Sequence, residues 1–248
     1  PLNALGNPWD ITGEDNSGYG KIIATRGSSR WQASEGPEVI YRDGYYYLFL
    51  AYGSLSVEYN TRVCRSRNID GPYVDIHGNS AMGSAQLYPI LTAPYRFDNS
   101  YGWVGISHCG IFDDGAGNWF YTSQGRFPVN VGGNEYSNAI MMGHVRSIRW
   151  DANGWPLVMP ERYGAVPQAP ITENEIAGDW EHLALTNSTG TQRTSETMTY
   201  DLDTHKITSG SWKNATWTFD AATQTITTSA GVVPVSYTHL TLPTNREV

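Results

Sequence analysis

The sequence predicts an all-β fold in which consecutive four-stranded sheets form propeller blades and a small barrel-like β domain follows them. Three observations carry this reading. The first is a hairpin signature: Val39 to Tyr41 and Tyr45 to Leu50 are β-branched and aromatic runs separated by Arg42-Asp43-Gly44, and an Asp-Gly between two such runs marks a tight hairpin turn. The second is recurrence, since the same order of runs and turns returns about 70 to 80 residues later. The third is a shift after Pro160 to Ala-Val-Pro-Gln-Ala-Pro, followed by short Thr-rich alternating runs. On pattern alone an eight-stranded β-sandwich is the alternative for the first part.

Taken in order, residues 1–30 are rich in Gly, Asn and Ser, with one apolar segment, Lys21 to Ala24, between Gly20 and Gly27. That segment is expected to be one strand in a long loop, left over from a unit whose beginning is absent. The first sheet then comprises Val39 to Tyr41, Tyr45 to Leu50, Thr61 to Arg67 and, after the turn Asn68-Ile69-Asp70-Gly71-Pro72, a short edge at Tyr73 to Asp75. The second comprises Gly110 to Phe112, Trp119 to Gln124, Ala139 to Trp150 and Pro156 to Met159, with turns at 113–118 and at Asp151-Ala152-Asn153-Gly154. Residues 1–164 are therefore assigned to the propeller and 165–175 to a linker. A separate partial barrel covers 176–234, with strands at Glu181 to Thr186, Ser195 to Asp201, Lys206 to Ile207, Thr216 to Phe219 and Thr225 to Thr228. The last stretch, 235–248, resembles a translated sequencing adapter and is read as a tail outside the fold, with a terminal strand as the alternative.

Composition narrows the function. Lys and Arg number 16 against 24 Asp and Glu, a net charge of −8, so a phosphate backbone or an anionic membrane is repelled on average. Nucleic acid and membrane are thereby excluded as expected partners. Charged residues make up 16%, below the roughly 25% of ordinary soluble domains, while Tyr and Trp number 16 and 9. That balance suits a secreted protein that stacks on sugars, although β cores also take up aromatic residues. Cys64 and Cys109 form no C-x-x-C pair and are expected as buried free thiols. No apolar run approaches the ~20 residues that span a bilayer, and no basic-apolar leader precedes Pro1.

The chemistry-bearing candidates cluster at strand entrances. Glu35 precedes Gly36-Pro37, and because Pro has a fixed φ and no N–H to donate, the backbone there is extended and unpaired on one side. Glu38 is the poorer candidate because it opens the hairpin strand itself. His108 stands just before the first strand of the second sheet, much as Glu35 does in the first, so both are expected to face the central channel. Chemistry alone makes His108 a core histidine, since calcium prefers oxygen ligands. Tyr52, Gln124 and Arg126 follow channel-side strands and could contact sugar by stacking or hydrogen bonding, with packing the equal alternative. A Ser-His-Asp site lacks a nucleophile elbow, and His77, His144, His182 and His205 have no acid or cysteine partner at ligand spacing.

Glu35-Gly36-Pro37 followed by Asp43-Gly44-Tyr45-Tyr46-Tyr47-Leu48 resembles glycoside hydrolase family 43, the five-bladed propellers that cleave arabinan and xylan. Tyr59 through Arg67, Asn68-Ile69-Asp70-Gly71-Pro72-Tyr73, Gly105-Ile106-Ser107-His108, Gly125-Arg126-Phe127-Pro128, Gly154-Trp155-Pro156 and Pro160-Glu161-Arg162-Tyr163 are similar to its secreted endo-1,5-α-L-arabinanase branch. The resemblance implies an extracellular, monomeric enzyme that cleaves plant arabinan by inversion, with Glu35 as general acid and a calcium ion held at His108. It also implies a water-activating Asp and a pKa-modulating Asp on earlier blades, so this sequence is expected to hold about the last two blades and an accessory domain. Inversion needs both carboxyls, roughly 6.5–9.5 Å apart, one protonating the leaving oxygen and the other activating water on the opposite face. An exo-acting arabinofuranosidase or β-xylosidase is the nearer rival, and a non-catalytic carbohydrate-binding propeller the rival from another class.

Overall fold

A computed structural model of the chain describes residues 21–26, 34–83, 86–165, 168–185 and 188–236. The first sheet is antiparallel, in the order β1 (Glu35–Arg42), β2 (Tyr45–Tyr52), β3 (Asn60–Ser66). Asp43 and Gly44 take φ of 49° and 83°, which closes the hairpin with Arg42 opposite Tyr45. From Tyr47 to Tyr52 every β2 residue is buried, because this middle strand separates two cores. Tyr47 and Phe49 face one, while Leu48, Leu50 and Tyr52 join Cys64, Tyr73 and Leu87 in the other.

The expected fourth strand of this sheet is reduced to a single bridge between Val74 and Arg65. Pro72 offers no N–H, and Asp75 turns the chain away by accepting the amides of His77 and Asn79 on Oδ1. Lys21 to Ala24 is not a strand either; residues 21–26 run without a ladder, with Thr25 donating its amide to the Ala81 carbonyl.

After the two-residue β4 (Tyr95–Arg96), the second sheet runs β5 (Val104–Asp113), β6 (Trp119–Arg126), β7 (Met141–Trp150), β8 (Pro156–Val158), four antiparallel strands in sequence order. Strand β5 begins six residues before the expected Gly110, so His108 lies within the strand and not ahead of it. Strand β7 begins at Met141 because Ser137–Ala139 form a 3-10 turn. The two sheets pack face to face as consecutive propeller blades: Tyr47, Phe49 and Val63 from the first meet Ile106, Tyr121 and Ile148 from the second. Arg146, 1% exposed in this joint, donates to the Tyr95 hydroxyl at 2.9 Å and to His144 Nδ1 at 3.0 Å, which satisfies a cation that could not otherwise be buried.

The C-terminal part contains α1 (Glu173–Ile176), β9 (Gly178–His182), β10 (Arg193–Thr194), β11 (Glu196–Asp201), β12 (Lys206–Ile207), β13 (Trp217–Asp220), β14 (Thr225–Thr228) and β15 (Val232–Pro234). Sheets β12-β11-β9 and β13-β14-β15 enclose a core of Ile176, Met198, Tyr200, Ile207, Trp217 and Ile226. Two expectations fail here. The segment read as a linker contributes Ile171, 1% exposed, to this core and carries α1. The segment read as a tail begins inside the fold, since Val235 is buried and donates its amide to the Gln224 carbonyl; residues 237–248 lie outside the described residues. Strand β10 pairs in parallel with β4, Arg193 opposite Tyr95 and Thr194 opposite Arg96, tying this part to the connection between the blades.

Candidate active site

Glu35 and His108 are brought together by irregularities in the two inner strands. In β1 the register slips between Glu35, opposite Ala51, and Glu38, opposite Phe49, and Gly36 takes φ of 55° in that bulge. In β5 it slips twice, between Val104 and Ser107 and again between Ser107 and Gly110, with His108 at φ 60°. Such bulges re-aim side chains out of the ladder. Gly36 is needed for close approach as well as for its backbone angle, because a Cβ there would stand 3.1 Å from His108 Cδ2.

The side chain that joins them is Tyr59, which the sequence reading did not single out. It precedes β3 and is 2% exposed. Its hydroxyl donates to Glu35 Oε1 at 2.6 Å and lies 3.1 Å from His108 Nδ1. Burial first, then the Glu35 carboxyl, push the Tyr59 phenol above its ordinary value, so it stays protonated. The loop that delivers it is fixed by Asn60, whose Nδ2 donates to the carbonyls of Tyr52 and Glu58 at 3.1 and 2.7 Å. Beneath it Thr61 joins the blades, its Oγ1 2.8 Å from Ser107 Oγ and 2.7 Å from the Tyr121 hydroxyl.

Both Glu35 and His108 are exposed, so the carboxyl can meet a substrate while one of its oxygens is held. Of the expected sugar contacts, Tyr52 is corrected to a packing residue. It is 2% exposed, with the Arg26 and Arg62 guanidiniums 4.3 and 4.9 Å from its ring centre, and leaves no face for a sugar. Gln124 and Arg126 are half-buried at the end of β6, opposite Ser107 and Val104 of the strand that carries His108. Arg126 donates Nη1 to the Asn138 carbonyl at 3.0 Å, and Asn138 in turn donates to the Ser56 carbonyl at 2.8 Å. The β2–β3 and β6–β7 loops are thereby laced together at the end of the sheets where Glu35 lies.

Residues 5–156, more than half of the chain, match the family described as glycosyl hydrolases family 43. The chain belongs to that family. Residues 160–246 of this family 43 chain match a second description, a C-terminal lipocalin-like domain. The extracellular endo-α-(1→5)-L-arabinanase 2 of Bacillus subtilis is 30% identical over 186 residues, 66% of this chain and 38% of that protein. The corresponding extracellular arabinanase of Thermotoga petrophila is 30% identical over 185 residues, 67% of this chain and 37% of that one. A crystal structure of the Thermotoga petrophila endo-1,5-α-L-arabinanase matches with a TM-score of 0.71 at 26% identity, over 92% of this chain and 51% of that chain. The family 43 chain thus spans less than two fifths of these two curated relatives.

At His108 the described residues offer a calcium ion one imidazole and leave the rest of its shell to water. No group of three His, Cys, Asp or Glu side chains that could hold a metal occurs among the described residues, and calcium takes six to eight oxygen ligands. When the Tyr59 proton is given to Glu35, His108 bonds Tyr59 through an Nδ1 hydrogen, which leaves the Nε2 lone pair as its one free donor. An ion there would be held almost wholly by water. A cavity of about 380 Å³ lies elsewhere, lined by Asn118, Trp119, Arg149, Glu161 and Tyr163 among others, and it contains none of the expected site residues.

Proposed function

We propose that the protein carrying this chain cleaves α-1,5-linked arabinan by inversion and that Glu35 is its general acid. The observation that carries the reading is the Glu35 carboxyl itself, exposed at a blade entrance and held, among the described residues, through Oε1. The other oxygen, Oε2, is left to deliver a proton to a glycosidic oxygen. The substrate is drawn from the two extracellular arabinanase relatives, which also support secretion and action on a polysaccharide. The water-activating base and a modulating carboxylate are assigned to parts of the protein beyond this chain, so the chain alone is expected not to turn over arabinan. The calcium ion that the resemblance implies would have His108 as its protein ligand among the described residues, with water completing its shell.

The test is Glu35→Gln in the full-length protein. Activity on debranched arabinan should fall by about 10²- to 10⁴-fold, the usual worth of general acid help. An aryl arabinoside with a good leaving group should lose far less, because its oxygen needs little protonation to depart. Equal losses on the two substrates would remove Glu35 as the acid, and turnover by the 248-residue chain alone would refute the division of the machinery.

A further inference from the structure

Resting on the reading of Glu35 as the acid, we propose that Tyr59 is its positioning residue, anchoring the carboxyl by Oε1 so that Oε2 faces the leaving oxygen. The ring is 2% exposed and its hydroxyl reaches Glu35 Oε1 at 2.6 Å, so the contact is made within the fold and not by a surface rotamer. His108 orients the hydroxyl from the other side. Its Nδ1, 3.1 Å away, can donate to the Tyr59 oxygen and turn the single hydroxyl hydrogen toward Glu35. Gly36 permits that placement, because any side chain there would meet the imidazole.

The arrangement favours the transition state over the ground state. Before reaction the acid carries its proton on Oε2, and Tyr59 donates to the neutral carboxyl through Oε1. As that proton moves to the glycosidic oxygen, the bond from the sugar carbon to that oxygen breaks and its electron pair stays on the oxygen. Water bonds to the sugar carbon and gives its proton to the base. Glu35 is left as a carboxylate, and the Tyr59–Oε1 bond becomes charge-assisted, about twice as strong as a neutral one. A bond that strengthens along the reaction raises kcat and leaves KM nearly unchanged.

Tyr59→Phe in the full-length enzyme keeps the ring and removes only the hydroxyl. With debranched arabinan, kcat should fall about 5- to 10-fold, the difference between a hydrogen bond to a charged carboxylate and one to a neutral carboxyl, with KM within about twofold. A dinitrophenyl arabinoside should lose less than about threefold, and in the Glu35→Gln background Tyr59→Phe should cost that substrate nothing further. Equal losses on the two substrates, additive losses with Glu35→Gln, or an effect confined to KM and melting temperature would reduce Tyr59 to packing. Should Glu35→Gln separate the substrates while Tyr59→Phe does not, this inference alone is overturned. Should Glu35→Gln fail to separate them, the acid assignment falls and takes this inference with it.

Discussion

Acidification should destabilise the fold through one buried histidine. His144 lies on β7 opposite Ser123, 3% exposed, with Trp103 edge-on at 4.1 Å. Its Nδ1 accepts from the Arg146 guanidinium at 3.0 and 3.3 Å, while Nε2 is buried without a hydrogen-bond partner among the described residues. Burial first, then the charges of Arg146 and Arg162, push the imidazole down from 6.5 to about 3. Between those values the unfolded chain binds a proton that the fold refuses, so stability rises with pH across the window and is fully present above 6.5. At pH 5 the unfolded state gains a factor of about 30, at most about 2 kcal/mol. Urea unfolding of wild type and His144→Gln at pH 7 and pH 5 isolates this contribution, because the other titrating groups are common to both proteins. Wild type should lose up to about 2 kcal/mol more than the variant between the two conditions. Equal pH dependence in the two proteins would show that His144 titrates alike in folded and unfolded chains.

Two further expectations concern the core and the site. Gly36→Ala forces an L side chain into φ of 55° and sets a Cβ 3.1 Å from His108 Cδ2. It should cost about 1–2 kcal/mol from the backbone alone, read as a lower urea midpoint; an unchanged midpoint would show that β1 relaxes at no cost. Burial pushes the Cys64 and Cys109 thiols up to about 12, so both should react with a disulfide reagent at pH 8 only as fast as the fold opens. Rapid labelling of either in the native protein would contradict that packing.

The hairpins were legible because their signals are local. Asp43-Gly44 and the runs beside it specify one turn and two strands without help from the rest of the chain. The start of β5 was hidden because its register slips around Gly105 and His108, which breaks the alternation that a periodic reading follows. Glu35 and His108 were both expected at the channel, from their matching places at strand entrances. Tyr59 had no such signal, since it meets residues 24 and 49 positions away through a loop geometry that no short pattern encodes. The role of Tyr52 stays open between sugar contact and packing in the sequence for a related reason. An aromatic at a strand end looks the same whether it faces sugar or two arginines, and only the folded chain brings Arg26 and Arg62 onto its ring. The core role of Ile171 was likewise obscured by the Pro- and Ala-rich residues before it.

The parallel pairing of β10 with β4 bears on how the chain is made. The Pro94 and Arg96 carbonyls receive their partners, the Arg193 and Ser195 amides, from a segment synthesised about a hundred residues later. On the ribosome the joint between the blades therefore waits as a bare strand edge while the whole second sheet emerges, and bare edges recruit whatever strand is nearest. Residues 193–195 of a neighbouring copy carry the same amides as the chain's own. Crowded polysomes and concentrated refolding thus favour exchanged dimers, and dilution favours closure within one chain.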